Sequence, residues 1–522
     1  MKKKFVTTVL ALTIATTALV GCGSTSSNEA NSQTQEATID DSAEAAEKEA
    51  EANEYYEAGR SFLYGTDGNK VDYEAAYNNF QQALELGKVD ANFYLGVLCD
   101  WYAYPEKDYE AARTYYEACP ENPYAQLALG YLYWNGQGVE EDKERVQEYF
   151  NRAIEMGCVE GYQGLASIAY KEEDYATALE NYTKVVEEGT EQLYIVSSMK
   201  SIASLYRDGL GVEQDGAKAI EWYEKVVEAG DSEGLNQIGV MYYQGLAVEQ
   251  DYAKAMEWWE KAAEQGNTTS MGNIAYMYRE GMGVEQDGEK AIEWYEKAAE
   301  AGDSDGLLRI AEMYREGVAV EQDGAKAIEW YEKATIAGDT RGFNSIGYMY
   351  DEGLGVEQDY TKAMEWYKKA AEQGNATSMI NIAYLYRDGL GVEQDGEKAI
   401  EWYEKAAEAG DSGGLNMIGN MYRQGQGVEQ NYAKAMEWYE KGAEMENTAC
   451  MVWLGCMYRD GNGVKADHTK AIEWFEKAGK LGEATGFYFI GQIYEYGVAG
   501  AEFDYRLAKQ WYDKAAEMGY KP

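Results

Sequence analysis

Histidine is all but missing from this sequence: its 522 residues hold one, His468. With no second imidazole and no C-x-x-C pair, a zinc cluster is not expected, and no other metal or cofactor is called for. His468 stands in VKADHTKA, where related stretches carry Tyr252 or Gly216, so it reads as a substitution at a tolerant loop position. Cysteine is sparse as well. Apart from Cys22 there are Cys99, Cys119, Cys158, Cys450 and Cys456, an odd number unevenly spread, which is no disulfide framework. Cys450 and Cys456 are six apart and face different sides of one helix, so these thiols read as small core residues. Basic residues are outnumbered, 46 Lys and Arg against 93 Asp and Glu, for a formal charge of −47. Such a surface repels nucleic acid, and its plain use is to keep a long exterior soluble. Serines are scarce in the body of the chain, and no nucleophilic serine of the G-x-S-x-G or S-x-x-K kind is expected. No Pro-rich linker divides the chain, and the apolar stretch Phe5 to Val20, broken by threonines, is too short for a stable membrane span.

What the chain has in abundance is repetition. From Asp251 it reads DYAKAMEWWEKAAEQGNTTSMGNIAYMYREGMGVEQ, and Asp287 begins another copy. A tryptophan recurs every 36 residues from Trp222 to Trp474, then at Trp511 after 37. Upstream the same slot holds Asn79, Tyr115, Tyr149 and Asn181 at irregular spacing, giving about thirteen repeats. A fixed period near 35 means stacked supersecondary elements, each too small to bury its own apolar face.

Within a repeat the pattern is helix, turn, helix. Ala219, Ile220, Tyr223, Val226 and Val227 form one apolar helical stripe. Asp215 stands at the N-cap, and Glu221 with Lys225 makes a favourable i, i+4 pair that Glu293/Lys297, Glu329/Lys333 and Glu401/Lys405 repeat. Gly230 ends the helix, and Asp231 caps the next, which keeps Leu235, Ile238, Gly239 and Tyr242 together until Gly245. The loop GLGVEQD then reverses the chain. Of the 47 tyrosines and 13 tryptophans most fall in fixed slots, such as Trp294, Tyr295 and Tyr278, where they read as wedges between helices.

The wording of the motif, Y-x-x-G-x-G-V-x-x-D-x-x-K-A-x-x-W-Y-x-K-A-A-x-x-G, resembles the Sel1-like repeat, a relative of the tetratricopeptide repeat. The match is dense from about Asn122 onward, whereas the repeats at Asn79, Tyr115 and Asn181 lack the full G-x-G-V loop and look closer to the plain tetratricopeptide form. The resemblance implies an all-α, right-handed solenoid whose first helices line a concave groove. Some secreted Sel1-like proteins are described as penicillin-binding or weakly β-lactamase-active and carry a disulfide in each repeat, a pattern from which this chain departs.

In chain order, residues 1–21 read as a lipoprotein signal peptide: Lys2, Lys3 and Lys4 are its basic start, and Leu19-Val20-Gly21-Cys22 resembles the bacterial lipobox, with Cys22 as the lipidated residue. Its removal would take the charge from −47 to −50. Residues 22–43 read as a flexible tether, 44–190 as the less regular N-terminal repeats, and 191–522 as the regular ones. The expected location is the cell envelope, on the outer side of the cytoplasmic membrane or on an outer membrane. A longer period overlies the 36: DGAKAIEWYEK at Asp215 returns unchanged at Asp323, 108 residues later, so a block of three repeats was duplicated.

Comparing copies separates what the fold demands from what it leaves open. The slots of 235, 238, 239 and 242 hardly change. The slot of 240 holds Val240, Tyr276, Glu312, Tyr348, Tyr384, Asn420 and Cys456, and that of 237 holds Gln237, Asn273, Arg309, Ser345, Asn381, Met417 and Trp453. The slot of 244 is mostly acidic: Glu280, Glu316, Glu352, Asp388 and Asp460. Tyr, Asn, Met and Trp on a free helix face suit recognition of a protein or peptide, with variable packing between repeats as the rival explanation. The function expected is that of a non-enzymatic binding scaffold; the alternatives are penicillin-binding activity and surface carbohydrate binding.

Overall fold

A computed structural model describes residues 39–66 and 68–521. Cys22, the signal segment and most of the tether lie outside the described residues. Helix α1 runs Ile39–Tyr64, so it begins inside the stretch read as tether; the Ala- and Glu-rich run from Ser42 has the composition of a strong helix former. Of the helices described, none is long and apolar enough to cross a membrane.

From α1 on, the described residues form thirteen consecutive helix pairs, with no strand among them. The first six are α1 with α2 (Tyr73–Glu85), α3 (Ala91–Asp100) with α4 (Tyr109–Glu117), α5 (Pro123–Asn135) with α6 (Lys143–Glu155), α7 (Gly161–Lys171) with α8 (Tyr175–Glu188), α9 (Gln192–Asp208) with α10 (Gly216–Glu228), and α11 (Glu233–Gln244) with α12 (Tyr252–Glu264). Then come α13 (Thr268–Glu280) and α14 (Gly288–Glu300), α15 (Asp305–Glu316) and α16 (Gly324–Ile336), α17 (Arg341–Glu352) and α18 (Tyr360–Glu372), and α19 (Ala376–Asp388) and α20 (Gly396–Glu408). The last are α21 (Gly413–Gln424) and α22 (Tyr432–Glu444), α23 (Thr448–Asp460) and α24 (His468–Lys480), and α25 (Ala484–Tyr496) and α26 (Tyr505–Glu517). The chain divides into two compact units, Met1–Ser270 and Met271–Pro522. Within each, a helix packs on those before and after it in sequence.

The caps fall where the sequence places them. Asp215 accepts a hydrogen bond from Lys218 N at 3.0 Å, and Asp231 accepts one from Glu233 N at 2.9 Å. Gly245 closes α11 with φ 71°, a left-handed conformation free of strain only for glycine. The ion pairs are less uniform. Lys225 lies 3.0 Å from Glu221 and Lys333 lies 3.2 Å from Glu329, and each also lies over the tryptophan three residues before it.

The core of a repeat is one buried ring set into a small residue. Tyr331 and Tyr367 are 1% and 0% exposed, whereas the marker tryptophans beside them are only half buried. Opposite Tyr367, a Cβ on Gly347 would come within 2.5 Å of the ring, so in this repeat the ring takes the space a side chain would need. Tyr278, read as a wedge, is also half buried, with Lys290 Nζ 5.0 Å above its ring. Among the described residues the five cysteines are buried and unpaired. His468 is not at an idle position: its Nδ1 lies 3.2 Å from Ala499 O.

Candidate binding surface

All thirteen residues picked out on the free face of the first helices are at least partly exposed. Gln237 and Val240 belong to the first unit and the other eleven to the second. Their side chains fall into three groups. Some are tied up on their own helix: Gln237 Nε2 donates to Glu233 Oε1 at 2.6 Å, and Arg309 is held by Asp305 at 3.0 Å and Glu312 at 3.2 Å. Others brace neighbouring helices. Asn420 Oδ1 accepts from Tyr439 OH at 2.9 Å, Trp453 stacks on Tyr439 at 6.3 Å with Arg423 3.9 Å from its ring centre, and Asn381 Nδ2 donates to Asn344 at 3.4 Å. Tyr384 sits edge-on to Tyr403 at 5.8 Å with its hydroxyl 3.4 Å from Met417 Sδ.

The remaining side chains keep part of their surface open to solvent. Tyr348 is 43% exposed, while Tyr276 and Asn273 one turn earlier, and Ser345, are half buried. Arg279 lies over one face of the Tyr276 ring, 5.0 Å from its centre.

The acidic slot proves largely neutralised. Arg279, Arg387 and Arg459 lie 2.7, 2.6 and 2.6 Å from Glu280, Asp388 and Asp460, and Arg315 pairs with Glu316. Arg315 also reaches the buried ring of the following helix, its Nη1 donating to Tyr331 OH at 3.2 Å, and Arg423, beside Gln424, donates from Nε to Tyr439 OH at 3.3 Å.

Nothing in this surface assembles reactive groups. Burial pushes the thiols of Cys119 and Cys450 up to about 12 and those of Cys99 and Cys456 up to about 11, away from nucleophilic thiolate. Among the described residues no group of three or more His, Cys, Asp or Glu could hold a metal ion. The expectation that S-x-x-K is absent fails at one place, Ser197-Ser198-Met199-Lys200. It lies within α9, where Ser197 Oγ accepts from Gln163 Nε2 at 2.9 Å and Lys200 Nζ lies 2.9 Å from Asp231, so serine and lysine are each engaged elsewhere. The same stretch borders a cavity that the repeat comparison passes over.

A sequence model of the Sel1 repeat matches residues 55–88, 89–118, 123–158 and, from 196 to 520, nine further segments. The chain belongs to the Sel1 repeat family. Its members are generally protein-interaction scaffolds, typically without enzymatic activity. Residues 159–195, the pair α7 and α8, are skipped, whereas the repeats at Asn79 and Tyr115 are matched, so only the Asn181 repeat departs that far from the family pattern. No curated protein matches the sequence. Among solved structures it is similar to a protective antigen of uropathogenic Escherichia coli strains displaying an SLR fold, with 34% identity over 77% of this chain and 86% of that one, TM-score 0.36. It is also similar to a Sel1 repeat protein from Oxalobacter formigenes, with 30% identity over 55% of this chain and 99% of that one, TM-score 0.34.

Proposed function

We propose that the chain is a non-enzymatic scaffold that binds a protein or extended peptide along its first helices, held at the cell envelope by a lipid on Cys22. The observation that carries the binding reading is Tyr348: a large ring, 43% exposed, in a slot that also holds Tyr276 and Tyr384. A rigid amphipathic side chain left open at a recurring position suits an interface, because it offers apolar area and a hydroxyl at little entropic cost. Tyr276 and Tyr384 are duplicated copies 108 residues apart, accompanied by Asn273 and Asn381, whose amides suit a peptide backbone.

The test is replacement of Tyr276, Tyr348 and Tyr384 by Ala. Helix content should be retained, and capture of the native partner should weaken about tenfold or more. Tyr348→Ala alone should leave the melting temperature unchanged, whereas Tyr384→Ala should lower it through the lost contact with Tyr403. Unaltered capture by the triple variant would retire the reading. Anchoring is tested separately: Cys22→Ala should abolish labelling with palmitate, and undiminished labelling would place the lipid elsewhere.

A further inference from the structure

In the first unit α7, α8, α9 and α11 border a cavity of about 640 Å³. It lies where the repeat is broken. Only Glu172–Asp174 separate α7 from α8, and α9 runs for 17 residues where α11 has 12. Tyrosine rings, Leu193 and Val196 make up most of the lining, with serine hydroxyls, Gln163 and two carboxylates set among them. Ser167 Oγ donates to Gln163 O at 2.9 Å, Ser201 Oγ to Ser197 O at 3.1 Å and Ser204 Oγ to Lys200 O at 3.1 Å. Ser167 and Ser201 also meet the Tyr182 hydroxyl, and Ser204 Oγ lies 3.2 Å from that of Tyr223, so the serines satisfy one another and the tyrosines. Gln163 directs Nε2 to Ser197, leaving its Oε1 buried with no partner, and the hydroxyl of Tyr194, 3% exposed, has none either. Asp231 and Glu233 add two carboxylates against the single ammonium of Lys200, which lies 2.9 Å from Asp231.

We propose that this cavity anchors a basic side chain, arginine or lysine, of the partner that runs along the first helices. The proposal rests on the groove reading and names the chemistry of one contact in it. A guanidinium or ammonium brings donors and no acceptor, which suits the carboxylates of Asp231 and Glu233 and the unpartnered Oε1 of Gln163. Its methylene stem lies against rings such as Tyr170 and Tyr182, as long cationic side chains do on apolar surface. The field of a chain with net charge −47 draws cations in from a distance. A polyol would bring as many acceptors as donors, and an anion would meet the two carboxylates. Lys200 is then a built-in competitor, occupying Asp231 until the ligand displaces it.

The experiment uses the full chain and fluorescein-labelled Gly/Ser peptides carrying one central Arg, Lys, Ala or Glu, followed by anisotropy. The Arg and Lys peptides should bind, and the Ala and Glu peptides should be weaker by about tenfold or more. Gln163→Leu should weaken the Arg peptide about tenfold, and Lys200→Met should tighten it about threefold by freeing Asp231, both with unchanged helix content. Equal affinity for all four peptides, loosening by Lys200→Met, or displacement of the Arg peptide by maltotriose but not by arginine amide would each overturn the proposal. If the peptides are not told apart while the tyrosine triple variant still loses its partner, the anchor site falls and the groove reading stands. If they are told apart while the triple variant keeps its partner, the reverse holds.

Discussion

Two repeats, one early and one late, solve the same problem with opposite charges. In the early one the buried Tyr116 meets Asp100, sixteen residues before it, at 3.4 Å. In the late one Tyr331 meets Arg315, again sixteen residues before it, at 3.2 Å. The arginine keeps its guanidinium partly in water and is neutralised by Glu316, so the tyrosine hydroxyl is satisfied without burying a charge. Asp100 is 6% exposed, with only the nearby Lys107 to offset it, and burial raises its carboxyl to about 7. The unpaired buried polar groups follow the same division. Trp101 Nε1, Arg113 Nε, one oxygen each of Gln126, Glu160 and Gln163, and the hydroxyls of Tyr194 and Ser198 fall between residues 101 and 198, whereas among the described residues the later repeats show the Tyr403 hydroxyl and Asn416 Oδ1. The regular array has thus converged on a self-satisfying set of contacts, whereas the irregular part retains buried polar groups without a hydrogen-bond partner.

The comparison is broken most severely by removing the shared element. Tyr331→Ala takes away a ring that is 1% exposed and should cost about 3–5 kcal/mol, as large aromatic-to-alanine changes in cores do. Because each repeat leans on its neighbours, hydrogen exchange should rise in α15 to α18 while α3 to α6 stays protected. Trp330→Ala, at a half-buried position, should cost less. Uniform loss of protection along the whole chain would mean one cooperative body and would void a repeat-by-repeat comparison.

A smaller effect separates Asp100 from Arg315. Between about pH 4 and 7 the folded chain keeps on Asp100 a proton that the unfolded chain has released. The native state therefore binds more protons in that window, and stability falls as pH rises through it, by up to about 1.4 kcal/mol per pH unit, levelling off above 7. Asp100→Asn removes this term, so the stability of the variant relative to the parent should climb from pH 4 to pH 7, read from hydrogen exchange in residues 91–117. Parallel pH curves for the two proteins would mean that Asp100 is ionised in the fold and that the early repeats carry no such weakness.

How far the sequence reaches can be judged at these same residues. The period predicted about thirteen helix pairs, and the caps at Asp215, Asp231 and Gly245 formed as their chemistry requires. The apolar stripe through Tyr223 picked the buried ring, whereas the eye-catching tryptophan marker did not, because a lysine one turn later lies on its face and keeps it at the surface. On the candidate face, partial exposure was legible from variability, but the pairing was not. Whether Arg309 reaches a ligand or folds back on Asp305 and Glu312 is decided by rotamers that no periodicity encodes. The cavity beside Gln163 was hidden for a different reason: residues 159–195, which supply Gln163, Ser167, Tyr170 and Tyr182 to it, do not match the family repeat. The Ser197 to Lys200 pattern was there to be read directly.

The smallest expected effect concerns a device found only in the regular repeats. There each marker tryptophan from Trp222 to Trp474 has a lysine three residues on, with Nζ 3.9 Å from the Trp222 ring centre, 3.5 Å from Trp330 and 4.2 Å from Trp474. The early repeats hold Asn79, Tyr115, Tyr149 and Asn181 in that slot, so none of them has the tryptophan. Lys333 combines the contact with an ion pair to Glu329 at 3.2 Å, yet its side chain is 43% exposed, so water and salt screen both interactions. Lys333→Ala should therefore cost no more than about 1 kcal/mol, seen as faster exchange in Gly324–Ile336 alone, and the deficit should shrink when salt is raised. Lys333→Met, which keeps the stem over the ring without the charge, should recover the part of the loss that is packing. A cost as large as that of Tyr331→Ala would show that the tryptophan–lysine contact, and not the buried ring, is what the 36-residue period preserves.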